Sequence, residues 1–274
     1  MAHEQIIIAG KSGVGRSTIA VNLSAALACE GRRVAHVGHD PDGLSTAPLR
    51  GEPPLDGCRE TALGRRDCGV GYRGILCLEA GMADGDGQRA GLERVGRLEA
   101  VAAHRPEFVV HDIPGTPEEV FASLSGWDGP WRLFVVTTAD MHALRALNGF
   151  IGRTAGPGCS GGRLGGVIAN NLTGPFSESM VADFVRKADV TRLITIPRSL
   201  LVHVSEFMGL TVLEAAPRSH LAMTFRRMAQ SVARNGDLRV ARPLTPAGLA
   251  DWARKWSDII TELETGDVRD GAAI

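Results

Sequence analysis

The chain has 274 residues, and its formal net charge is −1. This near-neutral balance argues against a general nucleic-acid-binding protein or a membrane-surface protein, because both functions rely on a basic surface. No apolar run reaches the ~18 residues that a membrane span needs. The sequence enters a strand almost at once, which predicts no signal peptide. The five cysteines include no C-x-x-C pair and indicate reduced thiols in the cytoplasm.

Apolar strands alternate with helical segments, which predicts an α/β fold with a mostly parallel sheet and helices on both faces. The predicted strands are 6–9, 33–38, 74–78, 107–115, 131–137, 165–171 and 193–198, and the predicted helices are 17–30, 92–104, 141–154, 180–189, 216–235 and 245–263. The glycine-rich segments 50–70 and 79–91 are expected to be irregular. No linker divides the chain, so we expect one domain over 1–266 and a loose tail at 267–274.

A glycine-rich loop follows the first predicted strand and leads directly into a helix. The loop comprises Gly10, Lys11, Ser12, Gly13, Val14, Gly15, Arg16, Ser17 and Thr18. The phosphate-loop spacing G-x-x-x-x-G-K-[S/T] fits at Gly10, Gly15 and Ser17, but Arg16 replaces the lysine. In such a loop the backbone N–H groups surround phosphate oxygens, and the helix N-terminus adds positive potential. The loop therefore predicts a nucleotide site, and a glycine-rich turn without ligand is the alternative.

Polar residues end several of the later strands, at the sheet edge where open parallel sheets bind ligands. Asp40 can hold Mg²⁺ through water or orient a water, although Asp-Pro is also typical of a turn. Asp112 ends an apolar strand and is the expected Mg²⁺ partner of a phosphate loop. Gly115 can donate its backbone N–H to a terminal phosphate. Asn170 can recognise a base through its amide, or simply shape a loop.

Several segments resemble the iron protein of nitrogenase and the related iron proteins of dark-operative chlorophyll biosynthesis. Lys11–Ser17 resembles the family's Lys-Gly-Gly-Ile-Gly-Lys-Ser, and Val37–Pro41 resembles its Val-Gly-Cys-Asp-Pro. Further matches are 71–81, 196–198 and 211–214. The likeness runs from Ile6 to about Ile260, although the first half alone also resembles chromosome-partitioning ATPases.

The resemblance implies ATP or ADP with Mg²⁺ at the interface of a homodimer. In this family the two subunits share one [4Fe–4S] cluster, which passes an electron to a partner protein. By resemblance, Lys11 reaches across to the partner subunit's nucleotide and Ser17 ligates Mg²⁺. Asp40 and Asp112 then serve the Mg²⁺ and switch network, so that Lys11, Asp40 and Asp112 are the implied catalytic residues. Asn170 and Arg198 match positions near the base, and Pro197 belongs to the same segment.

The chain departs from the family at residues that hold the cluster and activate water. Arg89 stands at the first cluster-cysteine position, and the segment 116–119 lacks the second cysteine. Because cluster iron is normally held by thiolates, these changes argue against a [4Fe–4S] cluster. Arg16 is not equivalent to lysine, and Leu44 and Thr116 stand where the family's switches carry aspartates. A site that keeps its cradle but loses water activation should bind nucleotide and hydrolyse it slowly, if at all.

Four functions remain open. The first is a cytoplasmic, nucleotide-binding dimeric switch without a cluster, with a regulatory or assembly role for a metalloenzyme and no nucleic-acid or membrane partner. The second is an ATP-dependent reductase whose cluster is held by unfamiliar ligands, drawn from Cys58, Cys68, Cys77 and Glu118. The third is a partitioning or positioning ATPase, which is disfavoured because the helix 245–263 has few basic residues. The fourth is a folded relative that has lost nucleotide binding.

Overall fold

The computed structural model describes residues 3–40, 44–49, 68–80, 99–124, 130–156, 162–234 and 241–266. The strands in this part of the chain are β1 Glu4–Ala9, β2 Val34–Gly38, β3 Cys68–Val70, β4 Leu76–Glu79, β5 Phe108–Asp112, β6 Trp131–Thr137, β7 Gly162–Leu172 and β8 Arg192–Pro197. They form one sheet in the order β3-β4-β2-β5-β1-β6-β7-β8. All neighbouring pairs are parallel except β3 and β4, which run antiparallel. The predicted mostly parallel α/β fold is confirmed.

Helices cover both faces of this sheet. They are α1 Arg16–Cys29, α2 Glu99–His104, α3 Pro117–Leu124, α4 Met141–Thr154, α5 Pro175–Lys187, α6 Leu200–Phe207, α7 Val212–Ala215, α8 His220–Arg234 and α9 Pro246–Thr265. The central strand β1 contributes to both cores, because successive side chains of a strand point to opposite faces. Ile6 and Ile8 join the core that contains α1 and α8, whereas Ile7 joins the core that contains α4, α5 and α9.

Strand register brings three loops together at the carboxyl edge of the sheet. Asp112 at the end of β5 is paired with Ile8 of β1 on one side and with Gly38 of β2 on the other. The phosphate loop begins two residues after Ile8, and Asp40 lies two residues after Gly38. The sheet therefore places the glycine-rich loop and both predicted aspartates side by side. They lie at the carboxyl ends of the strands, where open α/β sheets bind their ligands.

The structure corrects several boundaries. The segment predicted to be irregular over 50–70 ends in β3, an antiparallel edge strand, and helices α3, α6 and α7 were not predicted. Helix α5 begins at Pro175 rather than residue 180, because proline suits the first helical position. Helix α8 begins at His220 rather than residue 216, since the Ser219 hydroxyl accepts from the Ala222 N–H at 3.1 Å and caps it.

The remaining sequence predictions concern cysteines, loops and membrane spans. Cys29 and Cys77 are reduced thiols, but Cys68 is disulfide-bonded, so the expectation of five reduced thiols is wrong. Most of the predicted loop over 79–91, including Arg89, and the tail at 267–274 also lie outside the described residues. Among the described helices, none has the length and apolar character needed to cross a membrane.

Candidate nucleotide site

The glycine-rich loop has the backbone shape of a phosphate cradle. Gly13 and Gly15 adopt left-handed conformations, with φ of 86° and 84°, and α1 begins at Arg16 immediately afterwards. Left-handed backbone is inexpensive only for glycine. Gly10 is held against the neighbouring strand, since a Cβ there would lie 2.5 Å from the Val136 carbonyl oxygen. Lys11 is exposed on the loop. The sequence motif thus forms the turn that the spacing predicted, directly at a helix N-terminus.

Asn170 holds this loop in place from the end of β7. Its side-chain Nδ2 donates a hydrogen bond of 2.8 Å to the Val14 carbonyl oxygen. A Cβ on Gly15 would overlap the same amide nitrogen. The side chain that was predicted to recognise a base therefore contacts the phosphate loop itself. Its neighbours Pro197 and Arg198, predicted near the base, are exposed at the end of β8, where the Arg198 N–H donates to the Leu172 carbonyl at 2.9 Å.

Arg16 and Asp112 form a buried ion pair at the centre of the site. The Asp112 carboxylate is fully buried and the Arg16 side chain is only 11% exposed. Arg16 Nε donates to Asp112 Oδ1, and its Nη2 donates to the Ser17 hydroxyl at 3.4 Å. Burial raises the pKa of Asp112, but the Arg16 charge and hydrogen bonds from Ser17 and Arg16 outweigh it, so the pKa is lowered. Asp112 is therefore an anion, and its Oδ2 has no hydrogen-bond partner among the described residues.

Neutral histidines line the sheet beneath this ion pair. His36 is hydrogen-bonded to the Ser24 hydroxyl at 2.9 Å, and His39 Nε2 lies 3.0 Å from His111 Nδ1. Burial lowers the pKa of both His36 and His39 to about 4. Burial also lowers the pKa of His111, and the neighbouring imidazoles add to the effect. The three rings are therefore uncharged near neutral pH and leave the balance of charge to Arg16 and Asp112.

The other predicted site residues border the same edge. Asp40 is partly buried just beyond β2. Gly115 follows β5 with a φ of 125°, a conformation that favours glycine. Leu44, at the position of a missing switch aspartate, is 52% exposed. The register of β1, β2 and β5 therefore places Asp112, at the end of its strand, at the same edge of the sheet as the loops that carry Lys11, Asp40 and Gly115.

Thr116 and Glu119 form a capping box at the start of α3. The Glu119 carboxylate accepts from the Thr116 N–H at 2.8 Å, and the Thr116 hydroxyl accepts from the Glu119 N–H at 3.3 Å. Pro117 occupies the first helical position between them, where its fixed φ is favourable. The T-x-x-E signature of this motif was present in the sequence and could have predicted α3. The segment 116–119 thus provides a helix cap rather than a water-activating carboxylate or a thiolate.

Glu79 is a residue of the site that the sequence reading missed. This buried carboxylate at the end of β4 accepts from both the N–H and the hydroxyl of Thr46, at 2.8 and 2.6 Å. It thereby anchors the loop that carries Leu44 to the sheet. An acidic residue at the end of an otherwise apolar strand was the available signal, because a buried carboxylate needs hydrogen-bond donors.

The chemistry of the donor set decides which groups this site could hold. Phosphate fits the loop, which offers backbone N–H groups at a helix N-terminus. Mg²⁺ fits poorly as the residues stand, because Arg16 engages both the Asp112 carboxylate and the Ser17 hydroxyl. A [4Fe–4S] cluster does not fit the segment 116–119, which has no thiolate. Across the described residues, no group of three or more His, Cys, Asp or Glu side chains is placed to hold a metal ion.

The fold and the loop are those of the P-loop NTPases. Solved structures with this fold include the septum site-determining protein MinD complexed with Mg-ADP from Pyrococcus horikoshii OT3. It is 19% identical, with a TM-score of 0.60 over 85% of this chain and 97% of that one. Another is a ParA family ATPase from Chlorobium tepidum TLS, which is 18% identical, with a TM-score of 0.57 over 84% of this chain and 98% of that one.

Sequence similarity then identifies the family. The family of 4Fe-4S iron sulfur cluster binding proteins, NifH/frxC family, matches residues 4–258. Nitrogenase iron protein 2 of Paenibacillus durus is 32% identical over 98% of this chain and 97% of its own length. The nitrogenase iron protein of Methanospirillum hungatei JF-1 is 32% identical over 92% of this chain and 96% of its own length. The chain therefore belongs to the NifH/frxC family, as its sequence motifs predicted.

Proposed function

We propose that this protein is a nucleotide-binding dimeric switch of the NifH/frxC family that carries no [4Fe–4S] cluster and hydrolyses ATP slowly or not at all. It binds ATP or ADP in the cytoplasm and regulates or helps to assemble a metalloenzyme. The observation that carries this proposal is the combination of an intact phosphate loop with an Arg16–Asp112 ion pair and a capping box at Thr116. The first element retains nucleotide binding, and the other two remove hydrolytic groups.

Nucleotide binding is supported by the geometry of the loop. Gly13 and Gly15 take the left-handed conformations that turn N–H groups inward, and Asn170 fixes the loop from the opposite side. These are the features that a phosphate cradle needs before any ligand arrives. A relative kept only for protein contacts would have no physical reason to maintain two left-handed glycines and a positioned amide at this loop.

Slow hydrolysis follows from the groups beside the loop. Attack on a terminal phosphate requires an oriented water and a cation that neutralises developing charge. The Thr116 hydroxyl is a weak base and is already engaged with the Glu119 N–H. Leu44 offers no polar atom at the first switch. Arg16 directs its Nε to Asp112, the carboxylate that was expected to serve Mg²⁺. Asp40 is left as the carboxylate that could orient water, which supports at most a low rate.

Dimerisation is supported by an exposed apolar side of α6, near the phosphate loop. Leu200 is 77% exposed, Phe207 is 92% exposed, and Val204 and Met208 lie on the same side. Thr18, in the first turn of α1 at the end of the loop, donates a hydrogen bond of 3.4 Å to Glu206 of this helix. Apolar side chains in such a cluster favour burial against another surface. A second copy meeting this side would bring the two nucleotide sites near one another.

A second candidate is an ATP-dependent reductase with a cluster held by unfamiliar ligands. Its support is the family itself and the near full-length similarity to nitrogenase iron proteins. The described thiols offer it little, because Cys77 is buried in β4 and Cys68 is disulfide-bonded. We favour the cluster-free switch because Glu118, the carboxylate named as a possible ligand, is paired with Arg153 at 3.3 Å, and cluster iron is normally held by thiolates.

The proposal is tested by titrating the purified protein with ADP and with ATP by calorimetry, while phosphate release and molar mass are followed in parallel. We expect saturable binding of both nucleotides, a dimer whose stability depends on nucleotide, and phosphate release far below about 1 per second, the low end of typical turnover. Asn170→Asp keeps the shape of the side chain but removes its donor, so it should weaken binding. Gln230→Ala, on α8 and hydrogen-bonded to Glu30 beyond the carboxyl end of α1, should not. Absence of binding by the wild-type protein would refute the proposal.

A further inference from the structure

We propose that the guanidinium of Arg16 takes the place of Mg²⁺ in this site, so that the protein binds its nucleotide without a metal ion. The inference rests on the proposed nucleotide binding and adds the chemical form of the ligand, a metal-free nucleoside diphosphate or triphosphate. It follows from the way Arg16 engages the two side chains that sequence reasoning assigned to Mg²⁺, Asp112 and Ser17.

Arg16 already engages two of the side-chain oxygens that a metal would use, Asp112 Oδ1 and the Ser17 hydroxyl. Mg²⁺ requires oxygen ligands at short distance in near-octahedral geometry. Asp112 Oδ1 accepts from Arg16 Nε, and the Ser17 hydroxyl accepts from Arg16 Nη2 at 3.4 Å. A hydroxyl that accepts from a guanidinium beside it commits one of its two lone pairs to that cation. Both oxygens would have to exchange partners before they could ligate a metal, and the remaining Asp112 Oδ2 is buried on the carboxylate that Arg16 already neutralises.

The charges of Asp112 and Arg16 also disfavour a metal ion in this site. Asp112 is ionised and fully buried, and Arg16 neutralises it at hydrogen-bond distance. A divalent cation placed on the same carboxylate would face the guanidinium in a site with little water to screen the repulsion. Histidines around the pair are neutral and supply no negative charge that would offset this. Before nucleotide binds, arginine therefore already compensates the Asp112 charge, and it does so permanently, because a guanidinium does not lose its proton in proteins.

In the competing arrangement, the phosphates would pull Arg16 away from Asp112, and Mg²⁺ would bind to that carboxylate instead. That exchange would break a charge-assisted hydrogen bond at a carboxylate with no solvent exposure. Removing one partner of a buried ion pair is strongly unfavourable. A lysine at this position would differ, because its ammonium is a point charge on a flexible stem and does not form the planar fork that spans Asp112 and Ser17. Metal-free binding is thus a property of the arginine.

The experiment compares ADP affinity in excess EDTA with ADP affinity in excess Mg²⁺, for the wild-type protein and two variants. We expect the wild-type dissociation constants in the two conditions to agree within about twofold. Arg16→Lys should bind ADP at least about tenfold more tightly with Mg²⁺ than without it. Arg32→Lys makes the same exchange at an exposed pair with Glu107, remote from the loop, and should behave like the wild type.

A second measurement uses the wild-type chain alone and does not depend on the variants folding. Mn²⁺ complexed with ADP has a weak electron-paramagnetic signal compared with free Mn²⁺. If the protein takes metal-free ADP, adding it should release Mn²⁺ and increase the free-ion signal. A signal that stays constant or falls, or a wild-type affinity that Mg²⁺ strengthens at least about tenfold, would overturn the inference and leave the proposed function standing. Failure to bind ADP in either condition would overturn both.

Discussion

Replacing Gly15 by alanine tests the arrangement of the phosphate loop, because the chain contains a matched control. Gly15 has a φ of 84°, and a Cβ there would overlap the Asn170 amide. Gly31, which follows the other end of α1, has a φ of 80°, and a Cβ there would meet nothing within 4 Å. Left-handed backbone costs alanine about 1–2 kcal/mol at either position. Gly15→Ala additionally displaces the hydrogen bond from Asn170 to Val14, which is worth about 1 kcal/mol.

We therefore expect the free energy of unfolding to fall by about 1–2 kcal/mol for Gly31→Ala and by about 2–3 kcal/mol for Gly15→Ala. Urea denaturation of both variants, and of Asn170→Ala with and without Gly15→Ala, provides a double-mutant cycle. Because Asn170→Ala removes the group that the new Cβ overlaps, the double variant should be more stable than the sum of the single effects predicts, by about 1 kcal/mol. Equal losses for the two glycines, together with strict additivity in the cycle, would refute the placement of Asn170 against the loop.

Three further predictions concern the core, the pH dependence and the dimer. The Asp183 carboxylate accepts hydrogen bonds from two indole N–H groups of α9 at 3.0 Å. Asp183→Ala should therefore lower the free energy of unfolding, measured by thermal denaturation, by about 3 kcal/mol. The control Asp251→Ala, at an exposed position, should change it by less than about 0.5 kcal/mol. Burial lowers the pKa of His36 from 6.5 to about 4. Its contribution to stability is complete above pH 6.5 and is lost as the pH falls toward 4, by about 3 kcal/mol in total. Urea titrations of His36→Gln should show a correspondingly shallower acid slope, and an unchanged slope would contradict this. Phe207→Ser should weaken the nucleotide-dependent dimer in analytical ultracentrifugation, whereas Leu263→Ser, on α9, should leave it intact.

The mostly parallel sheet and the phosphate loop could be predicted from the sequence because their signals are local. Apolar runs such as 131–137 mark buried parallel strands wherever they occur. The spacing of Gly10, Gly15 and Ser17 encodes the loop within eight residues. Asp112 could be assigned to the same site because the carboxyl ends of parallel strands meet at one edge. These inferences need periodicity and topology, and no knowledge of side-chain contacts.

The contacts that set the chemistry could not be predicted, because they join residues far apart in sequence. From the sequence, Arg16 is only a replacement of the phosphate-loop lysine. In the fold its Nε donates to the carboxylate of Asp112, which is 96 residues away. Asn170 is predicted to recognise a base, but its amide donates to the Val14 carbonyl oxygen. Thr116 differs from these, because its capping signature is local. The family resemblance identifies Thr116 only as the position of a missing aspartate, whereas its T-x-x-E spacing predicts the start of α3.

Iron and acid-labile sulfide analysis of protein purified anaerobically, with an ADP titration on the same sample, directly tests whether the protein is a nucleotide switch without a cluster. We expect no stoichiometric iron or sulfide, together with saturable ADP binding. About four iron atoms and four sulfides per two chains would show a [4Fe–4S] cluster and contradict the claim.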